Sequence, residues 1–378
     1  MRSTIVTRGK RRKDKKRNTS STPSDSGGTT ATTSGMDGGM NGGMNGGMAG
    51  QCGGMNQMGG MACYTYPASP NTPGIANPDV VYRRGIYMNG SITMDDGNCV
   101  PVWGFTDLAA GNNAATQFPS PAMRVTEGQI VHTQLSVGMM NGTHTIHHHG
   151  IEPEYHSDGV GHLSHDVNRT YTYQWRPKHA GTYFYHCHTN TVLHAEMGMY
   201  GALIVDPKPD TNDSPETKRA FAGGPAYDVE AIWAVDEFDS RWHQLGWTAG
   251  TCGDDVGLHN LNPDYFIITG VDGANSALTN PAVAVQMNVG QKLLVRYICA
   301  GYYQQKVDFG GLTASIVASD GRPLPKPVNT KSFTAVSAER YDCIIQPTRR
   351  GTYTVSFDIL HWITGNVLGT ARTRITVN

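Results

Sequence analysis

The segment His186-Cys187-His188, followed by His194 and Met199, constrains this 378-residue chain more than any other stretch. A thiolate, imidazoles and a thioether in so short a span form a soft ligand set suited to copper. A His₂Cys trigonal site with a weak axial Met is an electron-transfer arrangement. The spans from Cys187 to His194 and Met199 suit one ligand loop joining two β-strands. A further imidazole has to come from elsewhere, and His144 is the candidate, opening the run His144-Thr145-Ile146-His147-His148-His149-Gly150.

Side chains two apart on an extended strand share a face. His147 and His149 therefore converge, as do His186 and His188, while Cys187 points to the opposite side. One three-residue segment can thus serve two metal sites: sulfur toward a core, imidazoles toward a second cluster outside it.

The rest of the chain reads as an all-β protein. It has 46 Gly, 20 Pro and many short Val/Thr/Tyr runs, and stretches such as Val125 to Val137 and Thr352 to Asp358 alternate as half-buried strands do. A net charge of -1 with only 16% charged residues gives no field to draw nucleic acid. No apolar run approaches the length of a membrane span. Residues 1–75 lack hydrophobic periodicity and are expected to be disordered. Arg8 to Arg17 holds eight basic residues in ten, but no apolar segment follows that would read as a secretory signal. Met36, Met40, Met44 and Met48 recur in a Gly/Asn background. Their thioethers could handle cuprous ions, or the segment is a low-complexity linker.

An internal repeat sets the domain organisation. Gly128-Gln129 and Gly290-Gln291 each begin a strand-like run, and Arg176-Pro177-Lys178-His179-Ala180-Gly181-Thr182-Tyr183 matches Gln346-Pro347-Thr348-Arg349-Arg350-Gly351-Thr352-Tyr353. Two copies of one β-rich unit read as tandem Greek-key sandwiches, placed at 76–208 and 224–378 with a Pro-bearing stretch between them. Aligning the landmarks sets Ser356, Phe357 and Asp358 opposite His186, Cys187 and His188. Gln305, Asp308 and Gly310 fall opposite His144, His147 and His149. Twelve of the fifteen histidines lie from His132 to His194, so the second unit is expected to lack metal ligands. Of the seven cysteines, Cys299 with Cys343 and Cys99 with Cys252 could pair, or all four could be free thiols.

The motifs H-x-x-H-x-H-G and H-C-H…H-x-x-x-G-M, from about Ala122 to Pro207, resemble those of multicopper oxidases, including the two-domain small laccases and copper nitrite reductases. The gap from Cys187 to His194 lies between the typical laccase and nitrite reductase spacings. The resemblance implies two cupredoxin-like domains, with ligand motifs in the first alone. It gives His144, Cys187, His194 and Met199 the type 1 copper roles, Met199 being preferred to Met197 because it directly follows Gly198. It gives His147 a type 2 role and His149, His186 and His188 type 3 roles. Asp158 matches a family position near the cluster and could relay protons, or it is a turn-forming Asp-Gly. His148 reads as structural, while His156, His162 and His165 lie in a loop resembling one that follows the first histidine motif in laccases. Glu196 reads as a solvated loop carboxylate or a docking point for a donor.

The expected function is that of a copper-dependent oxidoreductase. A small reducing substrate or redox protein gives electrons to the type 1 copper, and His-Cys-His passes them to a second copper site, with dioxygen as acceptor. The alternative is a blue-copper electron carrier or a copper-trafficking protein. The family's trinuclear cluster needs more histidines than this chain supplies, so a partner chain would have to complete it. Alternatively, a reduced site would hold one type 2 copper through two or three of these histidines and Asp358 of a neighbouring subunit, since Asp358 falls where nitrite reductases place a cross-subunit histidine. The resemblance also implies a homotrimer and a periplasmic or secreted location.

Overall fold

A sulfur can face inward while its neighbours face outward where a strand is packed on one face, and the chain folds into sandwiches of such strands. The computed structural model describes residues 73–110, 117–160, 166–251 and 253–378. The expectation for residues 1–75 therefore lies almost wholly outside the described residues, as do His162, His165 and Cys252.

The first sandwich consists of β1 (Val80–Thr93), β2 (Cys99–Asp107), β3 (Met123–Thr126), β4 (Val131–Ser136), β5 (His147–His149), β6 (Thr170–Trp175), β7 (Gly181–His186) and β8 (Tyr200–Asp206). They form two four-stranded sheets, ordered β2-β1-β4-β6 and β3-β8-β7-β5. Between the sheets lies a core of aromatic and aliphatic side chains, with Phe105, Tyr173, Tyr183 and Tyr185 almost entirely buried beside Met123, Leu135 and Leu203. Each such side chain contributes roughly 1.5–3 kcal/mol by leaving water. The short helix α1 (Thr191–Glu196) joins β7 to β8 and carries His194.

The second sandwich repeats this pairing. Val229–Phe238 lies parallel to Leu293–Cys299, which is antiparallel to Arg340–Ile345, as β1 is to β4 and β4 to β6. Val285–Met287 lies parallel to Val367–Val377, which pairs antiparallel with Gly351–Leu360, as β3, β8 and β7 do. The sequence landmarks of the repeat turn out to be equivalent hydrogen bonds. Gly128 N–H donates to Pro177 O at 2.8 Å and Gly290 N–H to Pro347 O at 3.0 Å. Tyr183 hydroxyl donates to His179 O at 3.0 Å, and Tyr353 hydroxyl to Arg349 O at 3.2 Å. The two domains are tandem cupredoxin-like sandwiches. Cys299 and Cys343 are free thiols buried in the second core, so no bridge joins them, and Cys99 is a free thiol at the surface.

The outer face of the sheet carrying β7 packs on the second sandwich through Phe184, Tyr200, Ala234 and Ile298. Arg296, fully buried, ties the contact together. Its Nε donates to Glu230 at 2.7 Å, its Nη1 to Thr182 Oγ1 at 3.1 Å, and Asp342 lies 3.6 Å away. Asp342 is itself 1% exposed, and removing the guanidinium takes away the strongest charge acting on its buried carboxyl. Arg296→Met is expected to cost about 3–5 kcal/mol of stability. Urea unfolding measures this, and a change under about 0.5 kcal/mol would mean the ion network is dispensable.

Candidate metal centres

β7 ends at His186, and Cys187 begins the turn into α1. Cys187 is completely buried in the first core, while His186 projects from the other face of the sheet. The Cys187 amide donates to Met199 O at 3.0 Å, and the Met199 amide donates to His194 O at 3.0 Å, so the backbone brings the three positions of the loop together.

The imidazoles face the sulfur through the same ring nitrogen. His144 Nδ1 lies 3.6 Å and His194 Nδ1 3.4 Å from Cys187 Sγ. Each Nε2–H is occupied elsewhere: His144 donates to Asn141 O at 2.9 Å and His194 to Trp247 O at 3.0 Å. Fixing one nitrogen as donor leaves the other as a bare lone pair, which is how outer partners orient metal-binding histidines. Met199 is fully buried in the same core. Burial pushes the Cys187 thiol up to about 11 and holds His144 down at about 3 and His194 at about 4. The set is therefore a neutral thiol flanked by two neutral imidazoles, all converging within 4.8 Å, and it fits a type 1 copper.

On the outer face, His147, His149 and His186 converge, their ligand atoms within 4.8 Å of one another. Strand register explains this, because His147 pairs with His186 across β5 and β7. His186 Nδ1–H donates to Cys187 O at 2.9 Å and His147 Nδ1–H to Asp158 O at 2.7 Å, which leaves the Nε2 atoms for a ligand. His149 Nδ1 sits 3.3 Å from His186 Nε2. Phe184, two residues before His186 on the same face, stacks on both rings. His188 stands beside the group, its ring 5.6 Å from that of His147, and its Nδ1 is 3.3 Å from Thr191 Oγ1. Burial, followed by the nearby Arg340 charge, holds His149 down at about 3.

Asp158 acts here through His147: its carbonyl accepts from the ring, and its carboxylate Oδ1 lies 3.3 Å from the same nitrogen. His148 points into the core, bonded to Thr133 Oγ1 at 2.9 Å and packed on Trp175, and takes no part in the outer group. His156 lies 3.7 Å from Glu154. Glu196 corrects the reading of a solvated loop carboxylate, for it is 1% exposed and accepts from the Asp239 amide at 2.7 Å. Burial, reinforced by the neighbouring Asp236, holds its carboxyl well above the usual range. It cannot meet an incoming donor. Among the described residues, no cluster of potential metal ligands occurs in the second sandwich. Asp308 pairs with Ser356 there, in the register that pairs His147 with His186.

Sequence reasoning missed Asn141 and Trp247, because both act through main-chain carbonyls that leave no residue signature. Phe184 was missed as well, although its two-residue spacing from His186 places it on the same face.

Residues 106–210 match the family described as Multicopper oxidase. Over that segment the chain is similar to a multicopper oxidase domain. A copper resistance protein A homolog of Pseudomonas syringae pv. tomato is 27% identical over 267 residues, covering 63% of this chain and 44% of that protein. Laccase abr2 of Aspergillus fumigatus is 38% identical over 104 residues, 26% of this chain and 17% of that protein. The crystal structure of the Blue Copper Oxidase from Nitrosomonas europaea superposes with a TM-score of 0.61 at 25% identity, covering 79% of this chain and 86% of that one. The chain thus spans less than half the length of the curated copper resistance relatives it matches.

The protonation states of the sulfur-centred site generate a pH prediction. With the thiol protonated up to about 11 and both imidazoles neutral above about 4, loading the sulfur-centred site displaces one proton, from Cys187. Copper affinity should therefore rise about tenfold per pH unit between pH 6 and 8. Competition titration against a chelator of known affinity checks the slope. A flat profile would show a preformed thiolate, and a slope of two would show an imidazolium as well.

Proposed function

We propose that the protein is a copper oxidoreductase that accepts single electrons at Cys187 and passes them to the outer histidine group. The observation that carries this reading is the shared backbone. The sulfur between His144 and His194 belongs to the residue whose flanking positions are His186 and His188, and His186 aims Nε2 into the outer group. Bound copper supplies one-electron redox chemistry and the blue chromophore. The chain excludes water from the sulfur, fixes both imidazoles through the Asn141 and Trp247 carbonyls, and offers a short covalent path outward. A rigid, dry, preorganised donor set lowers the reorganisation that electron transfer demands.

Support for an oxidase comes from the multicopper oxidase match and from the laccase and copper resistance relatives. The reducing substrate is a small molecule or a redox protein, and dioxygen is the acceptor. Three converging imidazoles with His188 beside them are fewer than a trinuclear cluster takes. We therefore propose a smaller second site in a homotrimer, one copper held by two or three of these histidines with Asp358 of a neighbouring subunit. Asp358 sits half-buried on its sheet, accepting from Thr370 Oγ1 at 2.8 Å. A periplasmic or secreted location follows from the same resemblance. Among the described residues, no helix is long and apolar enough to cross a membrane.

The small outer group also favours a second reading, a blue-copper carrier with one metal per chain. Copper analysis with electron paramagnetic resonance separates the two. The oxidase reading expects two or more coppers per chain and catalytic oxygen uptake with 2,6-dimethoxyphenol, whereas one copper and no uptake mean a carrier. Cys187→Ser should abolish the intense blue absorption in either case. Should the band survive, the sulfur is not the ligand. Asp358→Ala should lose second-site copper, and full retention would remove Asp358 from the site.

A further inference from the structure

The two imidazoles beside Cys187 have no edge at the surface. His144 and His194 are both 0% exposed, and their Nε2–H groups end on backbone carbonyls. A donor therefore cannot touch a ligand directly, and the electron has to cross whatever covers them. Two segments provide the cover, and both converge on Trp247.

The first link is through the backbone: Trp247 O accepts from His194 Nε2–H at 3.0 Å and from Asn190 Nδ2 at 3.1 Å, while Ala249 O accepts from the same Asn190 amide. The second is through the ring. The Trp247 indole lies against Gly142, where a Cβ would come within 2.5 Å of it, and Gly142 follows Asn141, whose carbonyl holds His144. One partly exposed indole thus sits a single hydrogen bond from His194 and one residue from the anchor of His144. Beside it in sequence, Met139 and Met140 are each 91% exposed. Large apolar side chains so open to water are unusual and mark contact sites when grouped. Neither Val137–Gly142 nor Leu245–Thr251 contains a charged residue. Uncharged, polarisable indole and thioether groups favour planar aromatic molecules over charged ones.

We propose that Trp247 is the residue through which electrons reach the type 1 site, with its indole and the Met139–Met140 turn forming the contact for planar aromatic reductants. The inference rests on the oxidoreductase reading and names its donor class and its point of contact. A phenolic donor loses one electron and releases its hydroxyl proton to water, becoming a phenoxyl radical. The electron passes by way of Trp247 and the hydrogen bond to His194, and reduces the cupric ion at Cys187 to cuprous.

Anaerobic stopped-flow bleaching of the blue band by 2,6-dimethoxyphenol tests this in the copper-loaded protein. Trp247→Leu keeps the carbonyl and removes the indole. The second-order rate should fall about tenfold or more, with blue absorption and midpoint potential unchanged, and Trp247→Phe should recover most of the loss. In the apo-protein, saturation-transfer NMR with benzyl alcohol, which cannot reduce copper, should show contact in the wild type that Trp247→Leu abolishes. Unchanged rates together with unchanged contact overturn the proposal. If Trp247→Leu does not take up copper, Met139→Ser/Met140→Ser tests the same patch at solvent-exposed positions. It should raise KM for the phenol several-fold at constant kcat, and an unaltered KM likewise overturns the proposal. A wild type without a blue band would defeat the copper reading instead, while the apo-protein contact would still decide the patch.

Discussion

The inward turn of one sulfur governs the rest of this molecule. Cys187 is buried because β7 ends in a fully packed sheet, and period-two geometry then sends His186 to the opposite face. Burying a thiol among aromatics disfavours its thiolate, so the apo-site is electrically quiet. The core around it includes Tyr173 and Tyr185. The metal then supplies the charge that makes a buried thiolate stable. The sandwich arranges the donors, and the ion completes the chemistry.

The second sandwich shows what duplication keeps when ligands are absent. Its landmark hydrogen bonds, from Gly290 to Pro347 and from Tyr353 to Arg349, match those of the first in partners and length. Where the first has His147 across from His186, the second has Asp308 across from Ser356. The sheet skeleton depends on backbone pairing and apolar alternation, and neither requires the metal positions. The second unit instead serves the first as a clamp. Tyr302 hydroxyl donates to Val192 O at 2.6 Å, the Asp239 amide bonds Glu196, and the Trp247 carbonyl holds His194. All three grips fall on the loop that carries the ligands.

This division explains what could be read from the sequence. The ligand residues were legible because metal chemistry demands particular side chains at short spacing, and strand alternation told which side each would face. The repeat was legible because Gly-Gln and Gly-Thr-Tyr mark turns whose hydrogen bonds recur. Glu196 was misjudged because its burial comes from Asp239 and His243, residues far along the chain whose approach no local pattern announces. Trp247 was invisible for a related reason. Its contribution is a carbonyl 53 residues past His194, and every residue type has a carbonyl.

The clamp also bears on how the centre works. A type 1 site open at an imidazole edge accepts any donor that collides with it, so selection must be made by the surrounding surface. With both imidazoles closed off by main-chain carbonyls, access and selection become the property of the covering residues. The ligand geometry is then free to remain rigid, because donor recognition places no demand on it. Separating the two tasks between sandwiches gives the metal-free unit a role that its missing ligands would not suggest. On the proposal made for Trp247, the first unit holds the redox centre and the second, through the segment around Trp247, decides what approaches it.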